Sequence, residues 1–213
     1  MLIKICGLTR QEDLDLASRL GVQFCGFIFH PKSPRCIAPE QAARLESGSM
    51  RRVGVFVEQE AEEIRQIMRA ARLDLAQLHG GQSLECALAV GAERVIRVIW
   101  PDRYTHRAVL HAELLQHARA CAFYLLDAGT AGGGSGRRLE WQDLSGLRPP
   151  RPWLLAGGLG ADNVRQALRQ CAPGGVDFNS GIEDAPGLKN AQKLQAAVAA
   201  ALKAGGRGAD STA

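Results

Sequence analysis

Eight short runs of β-forming residues recur along the chain at spacings of about 20 to 30 residues, and this recurrence limits the fold more than any other feature. The runs are Leu2–Cys6, Gln23–Phe29, Arg52–Val57, Asp74–His79, Arg94–Trp100, Ala122–Asp127, Trp153–Ala156 and Gly175–Asn179. Each gap has room for one helix and two short loops. Ile64, Ile67, Met68 and Ala71 fall at the spacing of one buried helical face. Leu194, Val198 and Leu202 form a similar stripe near the end. Thr9 with Glu12 reads as a capping box, which predicts a helix starting at Arg10. The weakest gap is the sixth, where Leu139–Leu147 is cut short by Pro149-Pro150-Arg151-Pro152.

Eight β/α units in 213 residues predict an α/β fold: a single closed (β/α)8 TIM barrel over residues 1–203, followed by a flexible Gly/Ser/Asp-rich C-terminal tail, 204–213. The competitor is an open, doubly wound sheet. It would place a G-x-G-x-x-G turn after the first strand, where this chain reads Cys6-Gly7-Leu8-Thr9.

Composition narrows the function. The 46% hydrophobic and 23% charged shares belong to a globular chain, not a disordered one. Apolar stretches reach about seven residues against the ~18 that span a bilayer, so no membrane partner is expected. Met1–Cys6 lacks a charged lead and a long apolar segment, which reads as no signal peptide and a cytoplasmic location. The +4 charge comes from interspersed residues and suits a small anionic ligand. With 5% aromatics there is little to stack bases on, and no nucleic-acid partner is expected. The six cysteines form no C-x-x-C and match no zinc or disulfide framework, which fits reduced thiols in a reducing compartment.

In such a barrel the carboxyl ends of the strands carry function. Those ends are polar here: Cys6, His79, Asp127, Gly157-Gly158 and Asn179-Ser180-Gly181. The glycine turns after strands seven and eight precede predicted helices, where free backbone N–H groups hold phosphate; tight left-handed turns alone would also explain them. Gly132–Gly136, after strand six, is a candidate lid over the same group. Cys6 and Asp127 are candidate acid–base partners. A thiol beside a glycine and a helix start can have its pKa lowered, and partial burial would raise a carboxyl's. The plainer readings are a packed small residue and a loop brace. Arg35 in the stiff loop Pro31–Arg35 could clamp a carboxylate, or be a solvated loop arginine. His79 either lines the pocket or satisfies a core hydrogen bond. His30, His106, His111 and His117 read as loop or helix-surface residues without a role. Alternation places Lys4 and Cys6 on one face of the first strand, and Asp177 and Asn179 on one face of the last. Closure would make these strands neighbours, so Lys4 and Asp177 are expected to pair inside the barrel.

These residues together resemble the phosphoribosylanthranilate isomerases of tryptophan biosynthesis. The match runs through Lys4-Ile5-Cys6-Gly7-Leu8-Thr9, Gly26–Phe29 with Ser33-Pro34-Arg35, Val53–Phe56, Gln77-Leu78-His79-Gly80, Leu126-Asp127, Leu155–Leu159 and Ser180-Gly181-Ile182-Glu183, in the family's order. The resemblance implies a cofactor- and metal-free Amadori rearrangement of N-(5-phosphoribosyl)anthranilate to 1-(2-carboxyphenylamino)-1-deoxyribulose 5-phosphate. Asp127 would then be the general acid and Cys6 the general base. Arg35 would hold the anthranilate carboxylate, with His79 and Asn179 among the substrate-binding residues. Backbone amides near Gly157, Gly158, Ser180 and Gly181 would hold the phosphate. The expected partner is a small phosphorylated substrate, and the expected state a monomer or weak homodimer. Asn179 stands where the family often has serine, Ser135 where a glycine loop carries threonine, and Asn190 where aspartate is common. Related barrels fit less well. The histidine-pathway isomerase uses two aspartates, and the indole-forming synthase relies on lysines at strand ends. A non-catalytic phosphate binder would have no use for both Cys6 and Asp127.

Overall fold

The computed structural model describes residues 1–128 and 141–206. Eight parallel strands close into a barrel in sequence order. They are β1 (Leu2–Ile5), β2 (Phe24–Ile28), β3 (Arg51–Phe56), β4 (Leu75–Leu78), β5 (Val95–Ile99), β6 (Phe123–Asp127), β7 (Trp153–Ala156) and β8 (Gly175–Phe178). Each run read from the sequence is a strand, with ends trimmed or shifted by a residue. Closure is made by β1 against β8, in register from Leu2↔Gly175 to Ile5↔Phe178.

Parallel strands inside a ring of helices are buried on both faces, which is why these runs are almost continuously apolar. Phe24, Val53, Leu75, Ile96, Val98, Leu125, Leu154 and Ala156 fill the barrel. Ile3, Ile5, Phe27, Phe56 and Leu78 point outward into a larger cluster beneath the helices. That layer is α1 (Gln11–Arg19), α2 (Pro39–Arg44), α3 (Ala61–Ala70), α4 (Leu84–Val90), α5 (Arg107–His117), α6 (Val164–Cys171) and α7 (Ala191–Gly205). Ile64, Met68 and Ala71 are buried as their spacing predicts, with Ile67 packed at the edge of the same cluster. Arg52 stitches the layers together. Its guanidinium donates to the carbonyls of Leu45 at 2.8 Å and Ala71 at 3.1 Å, where α2 and α3 end and orphan carbonyls favour a cation.

Several local expectations change. Helix α1 begins one residue late, after Arg10, and Thr9 does not cap it. Arg10 instead pairs with Glu12 at 2.6 Å and Asp13 at 2.8 Å, so the acid meant to reach back is held by its neighbour. Leu202 is 46% exposed, and Ala197 and Ala201 complete the buried face of α7 with Leu194 and Val198. That helix runs through Gly205, past the expected start of the tail, and residues 207–213 lie outside the described residues. Asn190 caps it, accepting from the Lys193 amide at 2.9 Å. In the sixth gap the described residues hold only a 3-10 turn, Trp141–Leu144; Gly132–Gly136, with Ser135, lies outside them. His117 is buried against Glu113 at 3.1 Å rather than on the helix surface. Five cysteines are buried and Cys36 is exposed, all as free thiols. After β8 the chain makes a three-residue turn, Ser180–Ile182, and a small hairpin of β9 (Glu183–Ala185) and β10 (Leu188–Lys189).

Candidate active site

A cavity of about 930 Å³ opens at the carboxyl end of the barrel. The polar strand ends converge on it: Cys6, Arg35, His79, Asp127, Gly157, Gly158, Asn179 and Ser180 all line it. That volume sits within the range of ordinary small-molecule sites.

Cys6 follows β1 and is 4% exposed, walled by Ile28 and Val55. Gly26 on β2 makes room beside it. A Cβ there would lie 3.1 Å from the Cys6 sulfur and 3.1 Å from Lys4 Nζ, so the missing side chain lets thiol and ammonium share one space. Burial pushes the Cys6 thiol above its ordinary pKa; Lys4 pulls it back without cancelling the rise. The low-pKa thiolate expected from the sequence is therefore corrected. The first helix begins at Gln11, too far along the chain to lower the thiol's pKa, and Lys4 is the nearby cation.

One layer down, Lys4 Nζ meets Asp177 at 2.9 and 3.0 Å, both side chains buried, as strand alternation predicts. Burial pulls Lys4 down, but Asp177 and Cys6 together raise it above its usual value, so it stays an ammonium.

Asp127 closes β6, three strands from β1 around the ring, with its side chain 21% exposed. His79 Nε2 lies 3.9 Å from its carboxylate. Burial, then the Lys4 charge, lowers the His79 pKa to about 4, so the imidazole facing Asp127 is neutral near pH 7. The Gln77 amide lies 3.3 Å from His79 Nδ1, and Trp100 packs edge-on at 5.3 Å between ring centroids.

The two glycine turns press together. A Cβ on Gly181 would lie 2.1 Å from the Leu159 carbonyl, and one on Gly160 would lie 3.0 Å from the Gly181 carbonyl. The two loops therefore touch backbone to backbone. Gly157 and Gly158 adopt φ of 107° and 65°. Gly181 itself stands behind the cavity wall, with Ser180 in front of it. A long helix follows only the first of these turns, where Asn163 and Gln166 of the α6 start line the cavity; a three-residue turn follows the second. Asn179 accepts from Lys189 Nζ at 2.8 Å, which occupies its side-chain oxygen.

Arg35 reaches the cavity with its guanidinium held by Glu183 at 2.6 to 3.2 Å. It is not a solvated loop residue. Three residues were missed from the sequence. His30 was set aside, yet it lines the cavity with a buried Nδ1 that has no hydrogen-bond partner among the described residues. Gln77 lines it too, and sits two residues before His79, a parity that would have found it. Glu183 is buried beneath Arg35, a long-range contact that no local spacing encodes.

Closed parallel barrels with their polar groups gathered at this mouth are enzymes, and the thiol, carboxylate and glycine-walled loops around one cavity put this chain in that class. The comparisons agree with it. The family model described as N-(5'phosphoribosyl)anthranilate (PRA) isomerase matches residues 3–200, and the chain belongs to that family. It is 71% identical over 203 residues to N-(5'-phosphoribosyl)anthranilate isomerase of Desulfovibrio desulfuricans, covering 95% of this chain and 96% of the other. Among solved structures it is similar to monomers of the dimeric enzyme from Thermotoga maritima, with TM-score 0.82, 30% identity, and 95% and 100% of the two chains covered. It is equally similar to a phosphoribosyl anthranilate isomerase in complex with reduced 1-(o-carboxyphenylamino)-1-deoxyribulose 5-phosphate, with TM-score 0.81, 30% identity, and 95% and 100% covered.

Proposed function

We propose that this chain isomerises N-(5'-phosphoribosyl)anthranilate to 1-(2-carboxyphenylamino)-1-deoxyribulose 5-phosphate. The observation that carries the reading is the meeting of Cys6 and Asp127, from β1 and β6, on a single cavity. In this mechanism Asp127 protonates the furanose ring oxygen and the C1′–O bond breaks, leaving an iminium between C1′ and the anthranilate nitrogen. Cys6 acts through its thiolate form, a minority at neutral pH because burial raises the thiol's pKa, and removes the C2′ proton to give an enolamine. The enol O–H then loses its proton as C1′ gains one, and the ketone results. Protons move and electron pairs shift, with no net redox change.

The Lys4 ammonium below Cys6 favours the thiolate that the second step needs. The neutral His79 places no full positive charge against the Asp127 carboxyl from that side. The loops of Gly157–Gly160 and Ser180–Gly181 are read as the phosphate cradle, and Arg35 as the carboxylate clamp. The catalytic unit is residues 1–203, working in the cytoplasm as a monomer or weak homodimer. Consumption of phosphoribosylanthranilate, followed by its fluorescence, tests the reading with Cys6→Ala and Asp127→Ala. Turnover retained in both variants would remove the mechanism.

A further inference from the structure

Arg35 is held along one edge and open along another. Its Nε donates to Glu183 at 2.9 Å and its Nη2 at 2.6 Å, a side-on fork on one carboxylate. Nη1 has no protein partner among the described residues, and Arg35 borders the cavity. A guanidinium gripped this way keeps its end edge, Nη1 with the second Nη2 hydrogen, for another planar anion.

Glu183 is itself fixed. Lys189 Nζ donates to its Oε1 at 2.7 Å and to Asn179 Oδ1 and O at 2.8 and 3.2 Å, so all three ammonium hydrogens are used. The Gly187 amide donates to the same carboxylate at 3.2 Å. Glu183 and Lys189 are 4% and 1% exposed at their side chains, which makes this a buried, fully partnered support. The stem of Arg35 passes over Gly7, where a Cβ would lie 2.7 Å from Arg35 Cδ, so the next residue after Cys6 must be small for the guanidinium to lie where it does.

We propose that Glu183, anchored by Lys189, is a positioning residue that turns the end edge of Arg35 into the cavity to receive an aromatic acid's carboxylate. The inference rests on the isomerase reading above, in which Arg35 binds that carboxylate. Positioning and simple electrostatics predict opposite signs. Glu183→Gln removes a negative charge near an anionic ligand, so Coulomb attraction alone would tighten binding. If Glu183 instead competed with the ligand for Arg35, its removal would also tighten binding. Only loss of aim loosens it.

Calorimetric titration with reduced 1-(o-carboxyphenylamino)-1-deoxyribulose 5-phosphate, and with the analogue lacking the carboxylate, tests this in the wild-type chain, Glu183→Gln, Arg35→Ala and the double variant. Glu183→Gln is expected to weaken the carboxylated ligand at least tenfold and the other less than threefold. It should add little in the Arg35→Ala background, because the two residues act as one unit. In turnover KM should rise tenfold or more while kcat falls less than threefold. Glu183→Asp keeps the charge beside Lys189 but draws back from Arg35; a loss of affinity there is expected even if the glutamine variant fails to fold. Unchanged or tighter binding in both Glu183 variants, with Arg35→Ala still weakened, overturns the positioning role alone. Unchanged binding in Arg35→Ala overturns the clamp and this proposal with it.

Discussion

Lys4 and Asp177, 173 residues apart in the chain, meet at 2.9 Å inside the barrel, where neither has appreciable contact with water. Each makes the other's burial tolerable, and the contact exists because β8 returns beside β1. Lys4→Met should therefore destabilise the protein by about 3–5 kcal/mol, since Asp177 is left charged and alone. Lys4→Met with Asp177→Asn should recover at least half of that. Urea denaturation of the three proteins checks it, and equal losses in the single and double variants would show that the charges do not compensate each other.

The same ammonium pulls the Cys6 thiol down against its burial. In the Lys4→Met/Asp177→Asn variant the pH midpoint for alkylation of Cys6 by iodoacetamide should move upward. A Cys6→Ser control identifies the signal. A midpoint that stays put would mean that the pull of Lys4 on the thiol does not exceed the opposing push of Asp177.

Acid–base groups that act in the transition state contribute roughly 10² to 10⁴ in rate, or about 3 to 5 kcal/mol. Cys6→Ala and Asp127→Ala should each lower kcat by at least the smaller factor and leave KM within a few-fold. Steady-state kinetics of the two variants measures both numbers.

The two glycine loops should respond differently to a methyl group. Gly181→Ala drives a Cβ to 2.1 Å from the Leu159 carbonyl, and backbone has nowhere to yield. It should cost about 1–3 kcal/mol of stability and weaken phosphorylated ligands at least tenfold. Gly158→Ala meets nothing within 4 Å but must hold φ of 65°. Its cost should stay near the ~1–2 kcal/mol of left-handed backbone strain. Thermal melts and ligand titrations separate the two cases.

Stability should fall on mild acidification because of His79, whose folded pKa lies near 4 against about 6.5 when unfolded. Above that unfolded value both states are neutral at this position. Between the two values the unfolded chain takes the proton and the folded one refuses it, so stability declines as pH falls. Below about 4 the contribution levels off. The ring is 32% exposed at its side chain, so the total is on the order of 1–2 kcal/mol. His79→Gln should flatten that part of the stability–pH curve, and an unchanged slope would remove the assignment.

What the chain's order of residues determined by itself was periodic and local. Eight apolar runs at regular spacing define eight strands, because burial on both faces demands unbroken apolar sequence. Parity along a strand brought Lys4 to Asp177 and set Cys6 and Asp127 at one mouth. The tertiary structure alone decided what depends on contacts between distant loops. Glu183 found Arg35, Gly181 found Leu159, and His30 turned into the cavity through closure of the ring rather than through any local pattern. The ionisation of Cys6 belongs there as well. A side chain's pKa follows the water, charge and hydrogen bonds around it, and for this thiol those are supplied by β1, β2 and β8 together.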